Sequence, residues 1–369
     1  MTVSTIENRD DLLSYLNAAM ALEHATIPPY LTAYYSIHSG TNSDAAHIIR
    51  VIAVEEMLHL TLVANVLNAI GGEPDLTRPG FVPSYPAYLP DGENDFTVDL
   101  RPFSPDAVET FCKIERPGQA PGAGSRLMTT SNSATPLLSS PTAEGMRYYS
   151  IGEFYEEIIE GLEKVAAGNP ALFCGNPARQ VGPESFYSGG GTVIVVSDLD
   201  SARQALRLIA DQGEGLDSGL YDASGELAHY YRFRQLQLGR YYQVGDHPDA
   251  PSGPLLSISW DDVYDVKVNA RLADYPTGSE LARVARDFNA DYGAFLALLT
   301  KAFNGQPGVF EEAVWEMFRL RDAFNRLVCN PLPGSDGLHA APTFEIPAEA
   351  GPNPQTPPGA GETTQAVTR

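Results

Sequence analysis

The sequence predicts a mainly α fold: a four-helix bundle with a long crossover, a small strand-containing insertion and two extra helices after the bundle. Three observations predict it. Long stretches carry apolar residues at the 3.6-residue helical spacing. Ionisable residues sit inside those apolar stripes, where they would be costly to bury alone. A connection rich in Pro, Gly, Ser and Thr, residues 73–141, separates the second helix from the third, where a bundle of this type needs its crossover.

The first helix has Asp10 or Asp11 as its cap and a stripe of Leu12, Leu16, Ala19, Glu23, Ile27, Tyr30 and Tyr34, which places Glu23 in the middle of the buried face. Pro28-Pro29 interrupts this helix one turn later and is expected to bend it. His24 points elsewhere, to the surface or to a supporting position. The second helix, residues 45–70, has Ser43 or Asp44 at its start and Gly71-Gly72 at its end. Its stripe is Ile49, Ile52, Glu56, His59, Val63, Val66 and Ile70. Because this helix is apolar nearly all round, Glu55 is a competing ligand on its other face.

The third helix, residues 142–167, is stopped by Gly168, with Ile151, Tyr155, Ile158, Leu162 and Val165 as its apolar face. Glu153 and Glu157 flank that face, and periodicity alone does not choose between them. The fourth, residues 222–238, places Glu226, His229, Phe233 and Leu236 on one side.

Glu56-Met57-Leu58-His59 and Glu226-Leu227-Ala228-His229 repeat one spacing. A Glu and a His three residues apart share a helical face and can reach one metal without distorting the helix. Two such pairs plus one Glu from each of two further helices make a two-metal carboxylate site. Glu23 supplies one of these, and Glu153 or Glu157 the other. Four carboxylates and two imidazoles suit two iron ions, with manganese as the alternative, and no thiolate pattern points to zinc or copper(I).

The strings Leu22-Glu23-His24-Ala25-Thr26-Ile27-Pro28-Pro29-Tyr30-Leu31, Val54-Glu55-Glu56-Met57-Leu58-His59-Leu60, Ile151-Gly152-Glu153-Phe154-Tyr155 and Glu226-Leu227-Ala228-His229-Tyr230-Tyr231-Arg232-Phe233 resemble the ferritin-like domain associated with iminophenyl-pyruvate dimer synthases. The resemblance covers most of residues 5–332, with the four strings in the right order. It implies a ferritin-like bundle and favours Glu153 over Glu157, giving Glu23, Glu56, His59, Glu153, Glu226 and His229 as ligands and catalytic groups. The dimer synthases are longer chains, so the likeness is to a stand-alone member of the wider group and implies no particular substrate.

Residues 191–196 are a short strand candidate after a glycine-rich turn, and residues 200–212 are expected to form a further helix. Two amphipathic helices, 279–303 and 309–328, follow. The domain expected is 1–330, with insertions at 73–141 and 168–221. Residues 331–369, rich in Pro and Gly, are expected to be a disordered tail.

The formal charge of −23, from 24 basic and 47 acidic residues, argues against nucleic acid and anionic membrane surfaces as partners. No stretch approaches the roughly 20 apolar residues of a membrane span, so a cytoplasmic location is expected. Cys112, Cys174 and Cys329 are odd in number and widely spaced, which fits buried thiols in a reducing compartment.

The expected function is a non-haem di-iron oxygenase or oxidase using dioxygen on a small-molecule substrate in specialised metabolism. Tyr30 and Tyr149 are candidates to line its pocket. Alternatives are iron oxidation or peroxide handling without an organic substrate, and a non-catalytic metal-binding module. A homo-oligomer or a biosynthetic enzyme partner is the protein-level expectation.

Overall fold

The computed structural model describes residues 6–92, 95–118, 148, 150–186, 190–216 and 219–346. Its two longest helices are α1, Arg9–Ser36, and α2, Ser43–Ala69, joined by a connection too short for anything but an antiparallel pair. The Asn8 side chain, rather than either aspartate, caps α1 by accepting from the amides of Asp10 (2.9 Å) and Asp11 (3.1 Å). The two carboxylates instead occupy the first turn, where the helix dipole favours them. Pro28 and Pro29 do not interrupt α1, which continues to Ser36. Pro29 lacks the amide that would bond the Ala25 carbonyl, and the Tyr85 hydroxyl donates to that carbonyl at 3.1 Å. At the start of α2, Asn42 takes a left-handed conformation and its side chain exchanges two hydrogen bonds of 2.8 Å with the Ser259 backbone.

Four helices close over this pair: α3, Pro105–Ile114; α4, Ile151–Gly168; α5, Leu199–Glu214; and α6, His229–Leu238. Helix α3 packs on α6, and α4 on α5. Ser150 caps α4 through the Glu153 amide; the earlier start expected at residue 142 lies outside the described residues. Helix α6 is about two turns shorter than its pattern suggests. Residues 222–228 form a turn in which Asp222 Oδ1 accepts from the amides of Ser224 (2.9 Å) and Glu226 (2.8 Å). Gly225 has a φ of +85°. An Asp-Ala-Ser-Gly run offers the backbone these local bonds in place of helical ones. Tyr30, Phe111 and Phe233, with ring centroids 4.7 to 5.1 Å apart, lock α1, α3 and α6 together.

Residues 191–196 are extended but form no strand, and only isolated bridges occur among the described residues. Side-chain amides replace the neighbouring strand. Asn65 donates to the carbonyls of Val181 (2.9 Å) and Ile194 (3.0 Å) and accepts from the Val181 amide (3.2 Å). Gln180 exchanges two 2.7 Å bonds with Val196.

The two later helices, α7, Glu280–Phe303, and α8, Phe310–Val328, brace the bundle as expected. Asn68 of α2 donates to the Phe303 carbonyl at 2.5 Å. Packed structure continues beyond residue 330. Phe344 lies edge-on to Phe288 and Tyr292, and Thr343 exchanges hydrogen bonds with Asn289. The expected tail therefore begins no earlier than residue 347, outside the described residues. Among the cysteines only Cys112 is buried; Cys174 and Cys329 are exposed.

Replacing Asn65 with Leu is expected to destabilise the fold by about 2–4 kcal/mol, because buried backbone groups of residues 181 and 194 lose their partners. Urea unfolding of Asn65→Leu within 0.5 kcal/mol of the native chain would remove this role.

Candidate metal centre

Five side chains from four helices converge where α1 and α2 face α3 and α6. Glu23 comes from the middle of α1, Glu56 and His59 from one face of α2, and His229 is the first residue of α6. The fifth is Glu115, immediately after α3. None is more than 3 % exposed. Glu56, His59 and His229 offer ligand atoms within 4.8 Å of one another, a spacing that can hold a metal ion.

The arrangement has two halves about Glu56. In one, His59 Nδ1 lies 3.3 Å from Glu23 Oε2 and 3.7 Å from Glu56 Oε2. In the other, His229 Nδ1 lies 2.9 Å from Glu56 Oε1 and 3.7 Å from Glu115 Oε2. Glu56 thus turns one oxygen to each imidazole. The rings of His59 and His229 are nearly parallel, with centroids 5.4 Å apart.

The outward atoms are held in both halves. Tyr155 of α4 donates its hydroxyl to Glu23 Oε1, and Tyr30 of α1 donates to Glu115 Oε1 at 2.5 Å. His59 Nε2 meets Gln212 Oε1 of α5 at 2.9 Å. Since Gln212 uses its amide nitrogen on the Gly190 carbonyl, its oxygen must accept, so the His59 Nε2 proton points outward and Nδ1 faces the carboxylates. His229 Nε2 donates to Glu55 Oε2 at 2.8 Å, and Arg232 Nη1 donates to the same oxygen at 2.8 Å.

The six ligands proposed from sequence are not all brought together. Glu23, Glu56, His59 and His229 converge. Glu226 does not: it precedes α6, so the Glu226-x-x-His229 spacing is not helical, and its largely exposed carboxylate pairs with Arg232 at 3.0 Å. Glu153 is half-buried in the first turn of α4, where its charge helps raise the buried carboxyl of Glu214. Glu157 is buried on the same helix. Glu55 faces the outer nitrogen of His229 rather than the point where the five side chains converge. Tyr30 spends its hydroxyl on Glu115, and Tyr149 lies outside the described residues. His24 is buried, not on the surface, and meets Tyr292 at 2.8 Å. It lines a mostly apolar cavity of about 50 Å³ on the face of α1 and α2 turned to α7 and α8, away from the cluster.

Glu115 was missed, although a signal exists. Val108, Phe111, Cys112 and Glu115 continue one helical stripe, the same criterion that exposes Glu23.

Burial dominates the electrostatics. It pushes Glu23 up to about 7, with the Glu56 charge adding to the effect. Burial and Glu56 likewise raise Glu115. For Glu56, burial is outweighed by hydrogen bonds from His229 and His59, which hold it well below the usual carboxylate range. Burial opposes protonation of His59, yet Glu23 and Glu56 win and raise it to about 10. His229 is raised well above its ordinary value against the same opposition, by Glu115, Glu55 and Glu56. Without a cation, protons balance the cluster.

The donor set fits a divalent cation. His229 Nδ1 and Glu56 Oε1 are buried without a hydrogen bond of adequate geometry, although they face each other at 2.9 Å. Lone pairs that converge without a well-placed proton are what a shared cation satisfies.

A family model described as ferritin-like matches residues 16–238, and the chain belongs to that family. Dichlorochromopyrrolate synthase of Lentzea aerocolonigenes is 26 % identical over 400 residues, which cover 92 % of this chain and 36 % of the synthase. Bacterioferritin of Desulfovibrio desulfuricans is 29 % identical over 111 residues, 29 % of this chain and 61 % of that protein. The chain therefore spans about a third of the first relative's length and under two thirds of the second's. The crystal structure of a ferritin-like protein from Caulobacter vibrioides shares the fold, with a TM-score of 0.59 and 24 % identity, covering 90 % of this chain and 97 % of that one. No helix among the described residues is long and apolar enough to cross a membrane.

Two outcomes follow from this geometry. Glu115→Ala should lower bound metal by at least about tenfold in affinity, whereas Glu226→Ala should leave it unchanged; metal analysis showing the reverse would restore the helical Glu226 pair. In the metal-free chain, His59 titrates near 10 when folded and near 6.5 when unfolded. Its contribution is therefore complete below pH 6.5 and lost as pH rises through 10. Glu23, also raised, acts in the same direction between its unfolded value and about 7. Chelator-treated protein should lose a few kcal/mol between pH 6 and pH 10; a melting temperature that is flat or rises over that range would contradict these assignments.

Proposed function

We propose that this chain is a non-haem dinuclear iron oxidase or oxygenase acting on a small organic molecule. The observation that carries the reading is the pair of Glu-His halves, Glu23 with His59 and Glu115 with His229, about the shared carboxylate of Glu56. Each half would hold one ion. Two bound ferrous ions would supply the electrons for reducing dioxygen.

The surrounding residues prepare the site for that chemistry. Full burial of the five ligands keeps bulk water from the reacting position. The hydroxyls of Tyr155 and Tyr30 fix the outer oxygens of Glu23 and Glu115, so that the inner oxygens stay aimed at the imidazoles. Likeness to a synthase over nearly all of this chain favours an organic substrate. So do the segments between α2 and α3 and between α4 and α6, which exceed what a plain bundle needs.

Iron oxidation without an organic substrate is the second reading, favoured by the local likeness to bacterioferritin. Protein purified without oxygen should carry two ferrous ions per chain, and oxygen exposure should produce one rapid oxidation that stops until reductant and substrate are supplied. Steady consumption of ferrous ion and oxygen alone would support the second reading instead. Glu56→Ala and His229→Ala should lose metal and oxygen reactivity together, by tenfold or more; full occupancy in either variant would overturn the ligand assignment.

A further inference from the structure

The two halves of the cluster differ in what holds the outer nitrogen of the imidazole. His59 Nε2 donates to a neutral amide, Gln212, at 2.9 Å. His229 Nε2 donates to a carboxylate, Glu55, at 2.8 Å. Glu55 is wholly buried and pairs with Arg232, whose Nη1 lies 2.8 Å from the same oxygen. Arg232 is itself 12 % exposed and is held from outside by the 56 % exposed carboxylate of Glu226 at 3.0 Å. A line of alternating charge therefore runs from the surface to one imidazole only. Nothing equivalent reaches His59 among the contacts seen: Gln212 passes its other hydrogen bond to the Gly190 carbonyl, a neutral acceptor.

We infer that Glu55 and Arg232 are positioning residues that make the His229–Glu115 half the tighter of two inequivalent metal positions. A carboxylate on the outer nitrogen draws the imidazole proton outward and increases electron density at the inner nitrogen, which an amide does more weakly. Arg232 donates to the same Glu55 oxygen that accepts from His229 Nε2, which holds the carboxylate in place against the imidazole, and without the guanidinium it would be free to turn away. Glu226, read from the sequence as a ligand, lies at the exposed end of this line, two contacts beyond Glu55, and is not needed for the effect. The inference rests on the dinuclear reading above.

Anaerobic titration calorimetry with ferrous ion separates the two claims. The unmodified chain should bind two ions in two resolved steps; fewer than two would overturn the dinuclear reading itself. Glu55→Gln, which keeps an acceptor but removes the charge, should weaken the tighter step about 10–100-fold and leave the weaker within about threefold. Arg232→Gln should reproduce that change by a second route, so the test does not depend on one variant folding. Gln212→Leu should weaken only the other step, and exposed Glu226→Gln should leave both within about threefold. A general packing defect would move both steps and the melting temperature together. Equal weakening of both steps in Glu55→Gln and Arg232→Gln, or no change in either, would overturn the inference.

Discussion

A carboxylate buried between two imidazoles is the constraint on which the rest of the structure depends. Glu56 turns one oxygen toward His59 and the other toward His229, so α2 and the start of α6 must meet in one register. Ionised groups so deeply buried are tolerated only when paired and hydrogen-bonded. The surrounding contacts answer that requirement in turn: Tyr155 on Glu23, Tyr30 on Glu115, Gln212 on His59 and Glu55 on His229. Each comes from an element whose placement is otherwise set by apolar packing, as the Tyr30, Phe111 and Phe233 cluster shows.

Much of this was legible in the chain before any coordinates. Glu23, Glu56 and His59 stand inside regular apolar stripes on long helices, and periodicity is reliable there because every turn repeats the signal. The bundle, the long connection and the two bracing helices follow from the same pattern. Glu226 misled because the spacing to His229 imitates a helical pair, while Asp222, Ser224 and Gly225 bend the backbone by local hydrogen bonds. A turn of this kind competes with helix formation at a cost that periodicity does not register. Glu153 was favoured over Glu157 by the resemblance alone, on a helix expected from residue 142; with α4 at Ile151–Gly168 it stands in the first turn, where the dipole rewards acidic groups. Glu115 went unseen since it lies one residue past the end of a ten-residue helix within the crossover, where a helical stripe is too short to stand out.

The strand expected at residues 191–196 failed for a different reason. Its β-branched run fits an extended chain, but whether a ladder forms depends on a partner elsewhere in the fold. Here Asn65 and Gln180 satisfy the backbone groups that a neighbouring strand would have taken. The same segment begins at Gly190, whose positive φ and lack of side chain let the backbone lie against Glu55. The insertion thereby closes over the carboxylate that supports His229, linking a connecting segment to the chemistry of the site.

Anomalous diffraction from crystals grown without oxygen and loaded with ferrous ion tests the central claim most directly. The account predicts two iron peaks flanking Glu56, one bound by Glu23 and His59 and the other by Glu115 and His229, with Glu226 and Glu153 outside the coordination sphere. A single peak, or iron bound by Glu226 or Glu153 in place of Glu115, would contradict it.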